Sequence, residues 1–579
     1  MSEEKLGLFL GEDMPTVESV WAFYQWGLAF NNQINLEDTV KSNRNFYIGK
    51  QWEGVNANGL PTPVFNILKR VVGFIVASIT TDNIKVNATA MSNTPNTDSL
   101  MEPVRIVNEE CEALTELNNV PAMLREFARN AAVDGDGCMY TYWDPDVDCG
   151  GGVTGAIKTE IVDSTRVFFG NPNDKDVQTQ PYIQIVSREI VRNVKKRAKA
   201  NGASDWSIIK ADSDESHVSD SVKFTDDKVT VLLTLWRNDE DGQIWAYEST
   251  ANCEIRKPWS LGIKLYPVCW LNWDYIQDCY HGQAMITGLI PNQIFINKAW
   301  AMSMLSIMRT AWPKVIYDKT RVSKWDNRVG GAIGINGGDV NSVARIIDPA
   351  SVDPQISMFI NMAVEQTEQS LGATAVALGD TRPDNTSAII ALQRAAATPS
   401  EMTKQNLYGA VEDLFRIYIE FMGEYYGTRL VDMETPPEIR EELMMAGAGS
   451  EDTIPVEFNF DILKEHPMSL KLDVGASSYY SEIASMQTLD SLLQAGHITP
   501  LQYLERIPDG YIPRRRALIA EMKQQLQQQM AAPPEMPMDG GGGPPIGEGD
   551  PMLAQLRTDT EVVGGRGYGR LQREINAGA

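Results

Sequence analysis

Residues 281–352 read HGQAMITGLIPNQIFINKAWAMSMLSIMRTAWPKVIYDKTRVSKWDNRVGGAIGINGGDVNSVARIIDPASV, and this pattern predicts a long apolar helix followed by a short, basic, Gly-rich insert. From Pro291 to Thr310 no residue breaks a helix, and at about 1.5 Å per residue such a helix is roughly 30 Å long. Pro291 fits either the first turn of this helix or a kink in a longer helix that begins near Ala284.

The apolar residues of this helix cover most of its circumference: Ile294, Phe295, Ile296, Ala299, Trp300, Ala301, Met302, Met304, Leu305, Ile307 and Met308. A helix that is apolar nearly all round is buried on several sides. A membrane span would bury it, but five residues make insertion costly: Asn292, Gln293, Asn297, Lys298 and Arg309. We therefore favour contacts with neighbouring helices, in this chain or in other subunits, over an ordinary core helix of a monomer.

A second helix is predicted to follow, with Asp353 as N-cap, Pro354 at its first position and its end near Leu371. Its apolar residues recur at helical spacing: Ile356, Phe359, Ile360, Ala363 and Val364. Between the two helices lies a basic, Gly-rich segment that we predict to contain strands. Two such helices would pack as an antiparallel pair, with the insert projecting from one end.

Composition limits the class of protein. A chain of 579 residues is too long to fold around a single hydrophobic core, so we expect three to four structural units. A hydrophobic content of 43% with 13 Trp and 19 Tyr indicates a folded chain, and the net charge of -26 argues against a protein that grips nucleic acid by a basic surface. A protein of this charge could still let nucleic acid pass through it without binding it.

We expect a soluble protein made in a reducing compartment. The six cysteines form no CxxC pair, the N-terminal residues do not resemble a signal peptide, and the apolar run 71–79 is too short to span a membrane. We predict no metal or other cofactor and no enzymatic activity. The sequence contains no GxxxxGK[ST] loop and no GxSxG elbow, and its four histidines are scattered.

Three local patterns allow two interpretations each. The cluster around FYIGKQW (residues 46–52) is either a packed turn, which we favour, or a nucleotide-stacking site. The acids of AAVDGDGCMYTYWDPD, among them Asp134, Asp136 and Asp144, form either a helix-to-strand turn, which we favour, or a metal cluster. The segment SREIVRNVKKRAKANG (residues 187–202) is predicted as a short basic helix. Its basic residues form either a solvated face, which we favour, or a contact with phosphate.

The flanking regions complete the prediction. VTVLLTLWRN, IWAYES and LYPVCWLNW (within residues 229–273) are predicted as strands of one antiparallel sheet that leads into the helix pair. After the pair we expect a mobile loop over residues 372–388. A long helix follows, either continuous from Ser387 or broken at Pro399, and ends at Gly427. Residues 430–475 are acidic and mixed, two or three helices follow to about Met530, and a Pro/Gly-rich tail ends the chain.

The order of these parts resembles the portal, or head-to-tail connector, proteins of tailed bacteriophages. Four segments carry the resemblance, which covers roughly residues 20–530: FYIGKQW (46–52), PVFNILKRVVGFIVA (63–77), YPVCWLNW with HGQAMITGLIPNQIFINKAWAMSML (266–305), and ITPLQYLERIPDGYIPRRRALIAEM (498–522). The family's plan implies an α+β fold. It comprises a wing at 1–280, stem helices at 281–310 and 353–371, a clip at 311–352, a tunnel loop at 372–387, a wing helix and return segment at 388–475, a helical crown at 476–531 and a disordered tail at 532–579.

The resemblance also implies a function. Such proteins form a ring, twelve-fold in particles, at one capsid vertex of the virion after assembly in the host cytoplasm. Double-stranded DNA passes through the channel during packaging and ejection without sequence-specific binding. The implied partners are further copies of the chain, the terminase motor, head-completion or tail adaptor proteins, and the major capsid and scaffold proteins, with no membrane contact.

Three sets of residues follow from this plan. The basic insert, with Lys314, Lys319, Arg321, Lys324 and Arg328, would dock the motor or adaptor or would line the DNA entrance, because residues 281–352 hold eight Lys and Arg against four Asp, a net +4. The tunnel loop would present Thr381, Arg382, Asp384 and Asn385 to DNA. Stem packing between subunits would use Ile294, Trp300, Met304, Leu305, Met308 and Phe359. Two alternatives remain, a metal-dependent, nuclease-like phage enzyme built on the Asp134–Asp148 acids and a scaffold protein without a channel.

Overall fold

The structure is a computed structural model. It describes residues 15–57, 59, 61–80, 84–90, 101–148, 154–212, 227–311, 315–322, 324–326, 333–337, 339–346, 354–369, 401–434, 453–465, 468–474, 488–507, 518–519 and 522. The chain divides into two compact units, Met1–Ile483 and Ala484–Ala579.

The helices of the described residues are α1 (Val17–Gln33), α2 (Leu36–Ile48), α3 (Ile67–Thr80), α4 (Met101–Leu117), α5 (Val120–Asp134), α6 (Val191–Ala200), α7 (Ile290–Ala311), α8 (Val340–Val343), α9 (Pro354–Gln369), α10 (Glu401–Tyr425), α11 (Ile462–Glu465) and α12 (Pro500–Arg506). The strands are β1 (Ile84–Ala90), β2 (Asp136–Asp148), β3 (Thr154–Val162), β4 (Val167–Phe169), β5 (Tyr182–Ile190), β6 (Lys228–Arg237), β7 (Ile244–Ser249), β8 (Glu254–Ser260), β9 (Val268–Asn272), β10 (Val315–Tyr317), β11 (Ala344–Ile346), β12 (Thr428–Glu434), β13 (Thr453–Asn459) and β14 (Met468–Val474).

All strand pairs in the described part are antiparallel. They form a five-stranded sheet in the order β4-β5-β6-β7-β8, a three-stranded sheet β3-β2-β9 and three two-stranded sheets, β1-β14, β10-β11 and β12-β13. Helices and antiparallel sheets occur together, so the predicted α+β class is confirmed.

The main core of the first unit lies between helices and the three-stranded sheet. It joins α3, α4 and α5 to β2, β9 and α10 through fully buried residues such as Phe127, Leu414 and Phe421. Tyr418 on α10 is buried, and its hydroxyl shares a 2.8 Å hydrogen bond with Thr159 on β3. A second cluster packs α1 on the five-stranded sheet, and a third packs α6 on β6 and β8. Apolar helix faces thus cover both larger sheets.

Local chemistry explains several boundaries. Thr16 caps α1 through a capping box with Ser19. Gly49 ends α2 with a φ of 94°, a backbone conformation that glycine adopts without strain. Between α5 and β2, Gly135 has a φ of 108°, and a Cβ there would lie 2.6 Å from the carbonyl oxygen of Gly282.

Two predictions about elements are wrong in part. LYPVCWLNW supplies β9, but β9 pairs with β2 rather than with β6 and β7, because residues 261–267 carry the chain from the five-stranded sheet across to the other one. The basic helix begins only at Val191. Arg188 lies on β5, where its nearly buried guanidinium contacts Asp212.

The second unit is described only in its first part. There Thr499 caps α12 through a capping box with Gln502, and Pro500 occupies the first turn.

Candidate functional site

Two helices with a strand insert between them form the candidate site. α7 and α9 pack against each other, and Ile296 and Ala301 on α7 and Ile360 on α9 are buried. Pro291 lies in the first turn of α7, which a short 3-10 turn at Thr287–Leu289 precedes, so the longer, kinked helix is not formed. α9 begins at Pro354 as predicted.

A buried polar network connects the first two turns of α7 to Phe65, just before α3, and to Gln51, in the turn after α2. Gln293 donates to the carbonyl oxygen of Phe65 at 2.8 Å and to Asn297 Oδ1 at 3.0 Å. Asn297 in turn donates to Gln51 Oε1 at 2.6 Å. All three of these amide side chains are buried. The network satisfies polar groups that would otherwise be costly inside the protein, and it fixes the helix in place.

The FYIGKQW segment is the packed turn that we favoured. Gln51 Nε2 donates to the carbonyl oxygen of Phe46, and Asn66 Nδ2 donates to those of Phe46 and Tyr47. Trp52 Nε1 donates to the carbonyl oxygen of Pro63. The turn therefore supports α7 through Gln51.

A second polar network surrounds the carboxylates of Asp134 and Asp136, between α5 and β2. His281 Nδ1 lies 2.6 Å from Asp136 Oδ2, and Asp136 Oδ1 accepts from the backbone of Gly282 and from Asn272 Nδ2, each at 2.7 Å. Arg44 binds both carboxylate oxygens of Asp134 at 2.9 Å and Asp163 at 3.0 Å. In the described residues Asp134 and Asp136 thus act as structural acceptors in a helix-to-strand turn.

The shared arginine affects its two acids differently. Burial raises the pKa of Asp134 and outweighs the hydrogen bond and charge of Arg44. At Asp163 burial acts in the same direction, but the charge and hydrogen bond of Arg44, together with the two hydrogen bonds from Thr165, prevail and lower the pKa. Arg44 therefore stabilises the ionised form of both acids, and only at Asp163 is the effect of burial exceeded.

Large apolar side chains on both helices remain exposed in the single chain. On α7, Met302 is 66% exposed, and on α9, Met358 is 66% and Phe359 60% exposed. Phe295, Met304, Ile307, Met308, Ile356 and Met362 are exposed as well. So much apolar surface on one helix pair is typical of an interaction surface.

The predicted stem residues differ in their surroundings. Met304, Met308 and Phe359 are exposed, and Ile294, Trp300 and Leu305 are half-buried. The ring of Trp300 lies 4.7 Å from that of Phe65, so part of its surface is already used within the chain.

The insert contains a short antiparallel pair of strands. β10 and β11 pair from Val315↔Ile346 to Tyr317↔Ala344, and Val322 and Val343 are buried. Tyr317 stacks on Trp325 at 5.4 Å. These contacts give the insert a fold of its own at one end of the helix pair.

The insert's described basic residues lie on its surface. Lys319 and Lys324 are exposed. Arg321 is exposed too but lies 3.5 Å from Asp318 and donates to Ser342 Oγ. Lys314, Arg328 and the predicted tunnel-loop residues Thr381, Arg382, Asp384 and Asn385 lie outside the described residues.

Residues 189–431 match the family model of the phage P22-like portal protein. The resemblance to phage portal proteins is confirmed. The match runs from the end of β5 to β12 and so includes both helices of the pair, the insert and α10. It supports a portal role in a phage. A search of curated proteins found no match.

Two further observations concern other classes of protein. No described helix of this portal-like chain is long and apolar enough to cross a membrane. Among the described residues, no three His, Cys, Asp or Glu side chains gather as metal ligands would.

Sequence reasoning missed the roles of Gln293 and Asn297, which entered it only as obstacles to membrane insertion. Two amides four residues apart share one helix face, so this spacing was the signal for a buried network. The roles of Arg44 and His281 depend on partners 90 or more positions away, which the sequence does not indicate.

Proposed function

We propose that this chain is the subunit of a phage portal, a closed ring at one vertex of the capsid. In this proposal twelve copies surround a channel for double-stranded DNA, assembled in the host cytoplasm and retained in the virion. The helix pair α7–α9 is the stem, the β10–β11 insert is the clip, and residues 372–387 form the tunnel loop. The role is structural, with no catalytic step.

One observation carries the proposal, the exposed apolar surface of the α7–α9 pair inside the matched segment. Water-exposed Met302, Met358 and Phe359 cost free energy in an isolated chain, and contact with a neighbouring copy removes them from water. In a closed ring every subunit offers one such surface and receives another. The net charge of -26 suits a channel that lets DNA slide.

The insert is the proposed docking site of the terminase motor and of the adaptor that follows it. Lys319, Arg321 and Lys324 lie on its surface in an otherwise acidic chain. Complementary charge would orient an acidic partner surface and speed its association. The capsid and scaffold proteins would contact other faces of the ring.

The test is electron microscopy of the purified protein with its mass measured in parallel. We expect closed rings with a central hole wide enough for a duplex. Met302→Glu and Phe359→Glu should prevent ring formation. Leu430→Glu is the matched control, since Leu430 lies on β12 and is 71% exposed. A compact dimer without a pore, or rings formed equally by all three variants, would contradict the proposal.

A further inference from the structure

A cavity of about 620 Å³ lies where the three-stranded sheet, the five-stranded sheet and α10 meet. Its walls come from β2, β3, β5, β6, β7, β8, α6 and α10. None of its lining residues belongs to the α7–α9 pair or to the insert, so the portal role does not use it. The volume falls in the range of small-molecule sites, about 300–1,000 Å³.

Aromatic rings form much of the wall. Tyr140 and Tyr142 stack at 5.7 Å, and Trp143 and Tyr425 stack at 5.1 Å. Trp259 lines the cavity as well, and the guanidinium carbon of Arg256 lies 3.7 Å from the centre of its ring. This wall therefore already holds one guanidinium group against an aromatic face.

The charged residues of the lining leave one carboxylate in excess. Arg197 binds Glu189 at 2.9 and 3.0 Å and also pairs with Glu248. Glu160 completes the set of three carboxylates against two arginines, Arg197 and Arg256. Within the described part of the chain Glu160 makes no ion pair or side-chain hydrogen bond. Glu160 is exposed on β3, so its carboxylate is open to water and to a ligand that enters the cavity.

The surroundings of Glu160 are electrostatically negative. Burial and then the charge of Glu189 raise the pKa of Glu160, and burial raises the pKa of Glu248. Glu160 and Tyr142 also line an adjoining cavity of about 320 Å³, so they border both spaces; Lys158 lines this second cavity too, but its ammonium pairs with Asp144 at 2.6 Å. A cation at this border would neutralise the carboxylate in excess and lie beside an aromatic ring.

We propose that this cavity binds a guanidinium group carried on an alkyl stem, paired with Glu160 and flanked by the aromatic walls. A guanidinium offers two parallel N–H donors to a carboxylate and a flat face to a ring, whereas an ammonium is a compact point charge. The alkyl stem covers apolar ring surface. An arginine of a partner peptide and a free guanidinium compound share this chemistry.

Calorimetry on the full-length chain tests the proposal, with N-acetyl-arginine amide as probe and its neutral isostere N-acetyl-citrulline amide as comparison. We expect saturable one-to-one binding of the arginine probe and at least tenfold weaker binding of the citrulline compound. Glu160→Gln should weaken the arginine probe about tenfold. Glu116→Gln, the same change on the exposed surface of α4, should leave it unchanged.

Two further probes distinguish whether the guanidinium group belongs to a polypeptide or to a free compound. Tighter binding of a Gly-Arg-Gly peptide than of agmatine indicates an arginine in a polypeptide, and the reverse indicates a free compound. Absence of saturable binding at millimolar concentration would overturn the proposal. Equal binding of the arginine and citrulline probes would do the same, as would equal weakening by Glu160→Gln and Glu116→Gln. Urea unfolding of both variants excludes a folding defect.

Discussion

Asn297 on α7 and Gln51 in the turn after α2 share a 2.6 Å hydrogen bond, with the amide of Asn297 as donor. The two residues are 246 positions apart, and both side chains are buried. The bond connects the proposed stem to the turn after α2. It is the last of three hydrogen bonds in series, of which the first joins Gln293 to the carbonyl oxygen of Phe65. The direction of α7 thus depends on amide side chains and not on apolar packing alone.

Replacing Asn297 by Leu should destabilise the protein. The change leaves buried Gln51 Oε1 without its donor and removes one of the two acceptors of Gln293, and an unsatisfied buried group costs about 1–3 kcal/mol. Urea unfolding measures the loss. The control is Asn292→Leu, an exposed position on the same helix, which should change stability by less than about 0.5 kcal/mol. If the two substitutions lower the free energy of unfolding equally, the network does not determine the orientation of α7.

Asp136→Ala should be more damaging. Its carboxylate accepts from His281, Gly282 and Asn272, and the side chains of Asp136 and His281 are buried. Removing the acceptor leaves several buried donors unpaired, so we expect a loss of about 3–5 kcal/mol. The control is Asp239→Ala on an exposed turn, expected to be near neutral. If Asp136→Ala unfolds at the same urea concentration as the native protein, the carboxylate does not hold residues 281–282 in place.

Arg44→Met should give a pH-dependent defect. Without the guanidinium, buried Asp134 and Asp163 retain the burial that raises the pKa of a carboxyl and lose the charge that lowers the pKa of Asp163. The folded-state pKa of each carboxyl then rises, and that of Asp134 lies above the unfolded value of about 3.9. Groups with a raised folded pKa add stability as the pH falls through that pKa, so the variant regains stability on acidification.

In the native protein the contribution of Asp163 behaves in the opposite way. Because its folded pKa is lowered, this contribution is present above about pH 3.9 and is lost only below it, as the pH falls through the folded pKa. The difference in unfolding free energy between the native protein and Arg44→Met should therefore shrink from pH 7 to about pH 4.5. Urea unfolding at both values measures it. A difference that stays constant or grows would show that Arg44 acts through packing.

Local patterns predicted the helix pair correctly, because its start and spacing signals lie within a few residues of each other. The proline in the first turn of α7, the helix start at Pro354 and the turn at Asp134–Asp136 are all of this kind. They needed no knowledge of distant partners.

Elements that depend on distant partners were missed or misplaced. A strand near Ile84 to Ala88 was predicted and is β1, but its partner β14, 390 positions away at Ile84↔Val474, was missed together with β12 and β13, because the composition of residues 430–475 is acidic. β8 escaped notice because EIRKPWS combines a proline with three charges. The pattern of LYPVCWLNW identified a strand, but a strand pattern carries no information on which sheet the strand joins.

The last prediction concerns the surface of the insert. Lys319→Glu with Lys324→Glu should weaken binding of the packaging motor at least tenfold, because two attractive charges become repulsive. Arg321 is left unchanged, since its contacts with Asp318 and Ser342 belong to the fold of the insert. The control is Arg192→Glu with Lys196→Glu, two exposed residues on α6 with the same change of charge.

Surface plasmon resonance against the purified motor at low and moderate salt measures the effect. The affinity of the native protein should fall as salt rises, and that of the insert variant should fall less, because salt then also screens the repulsion that the two glutamates introduce. Ring formation and urea unfolding should be unchanged in both variants. If the α6 variant loses as much affinity as the insert variant, the motor responds to overall charge, and the insert is not its docking site.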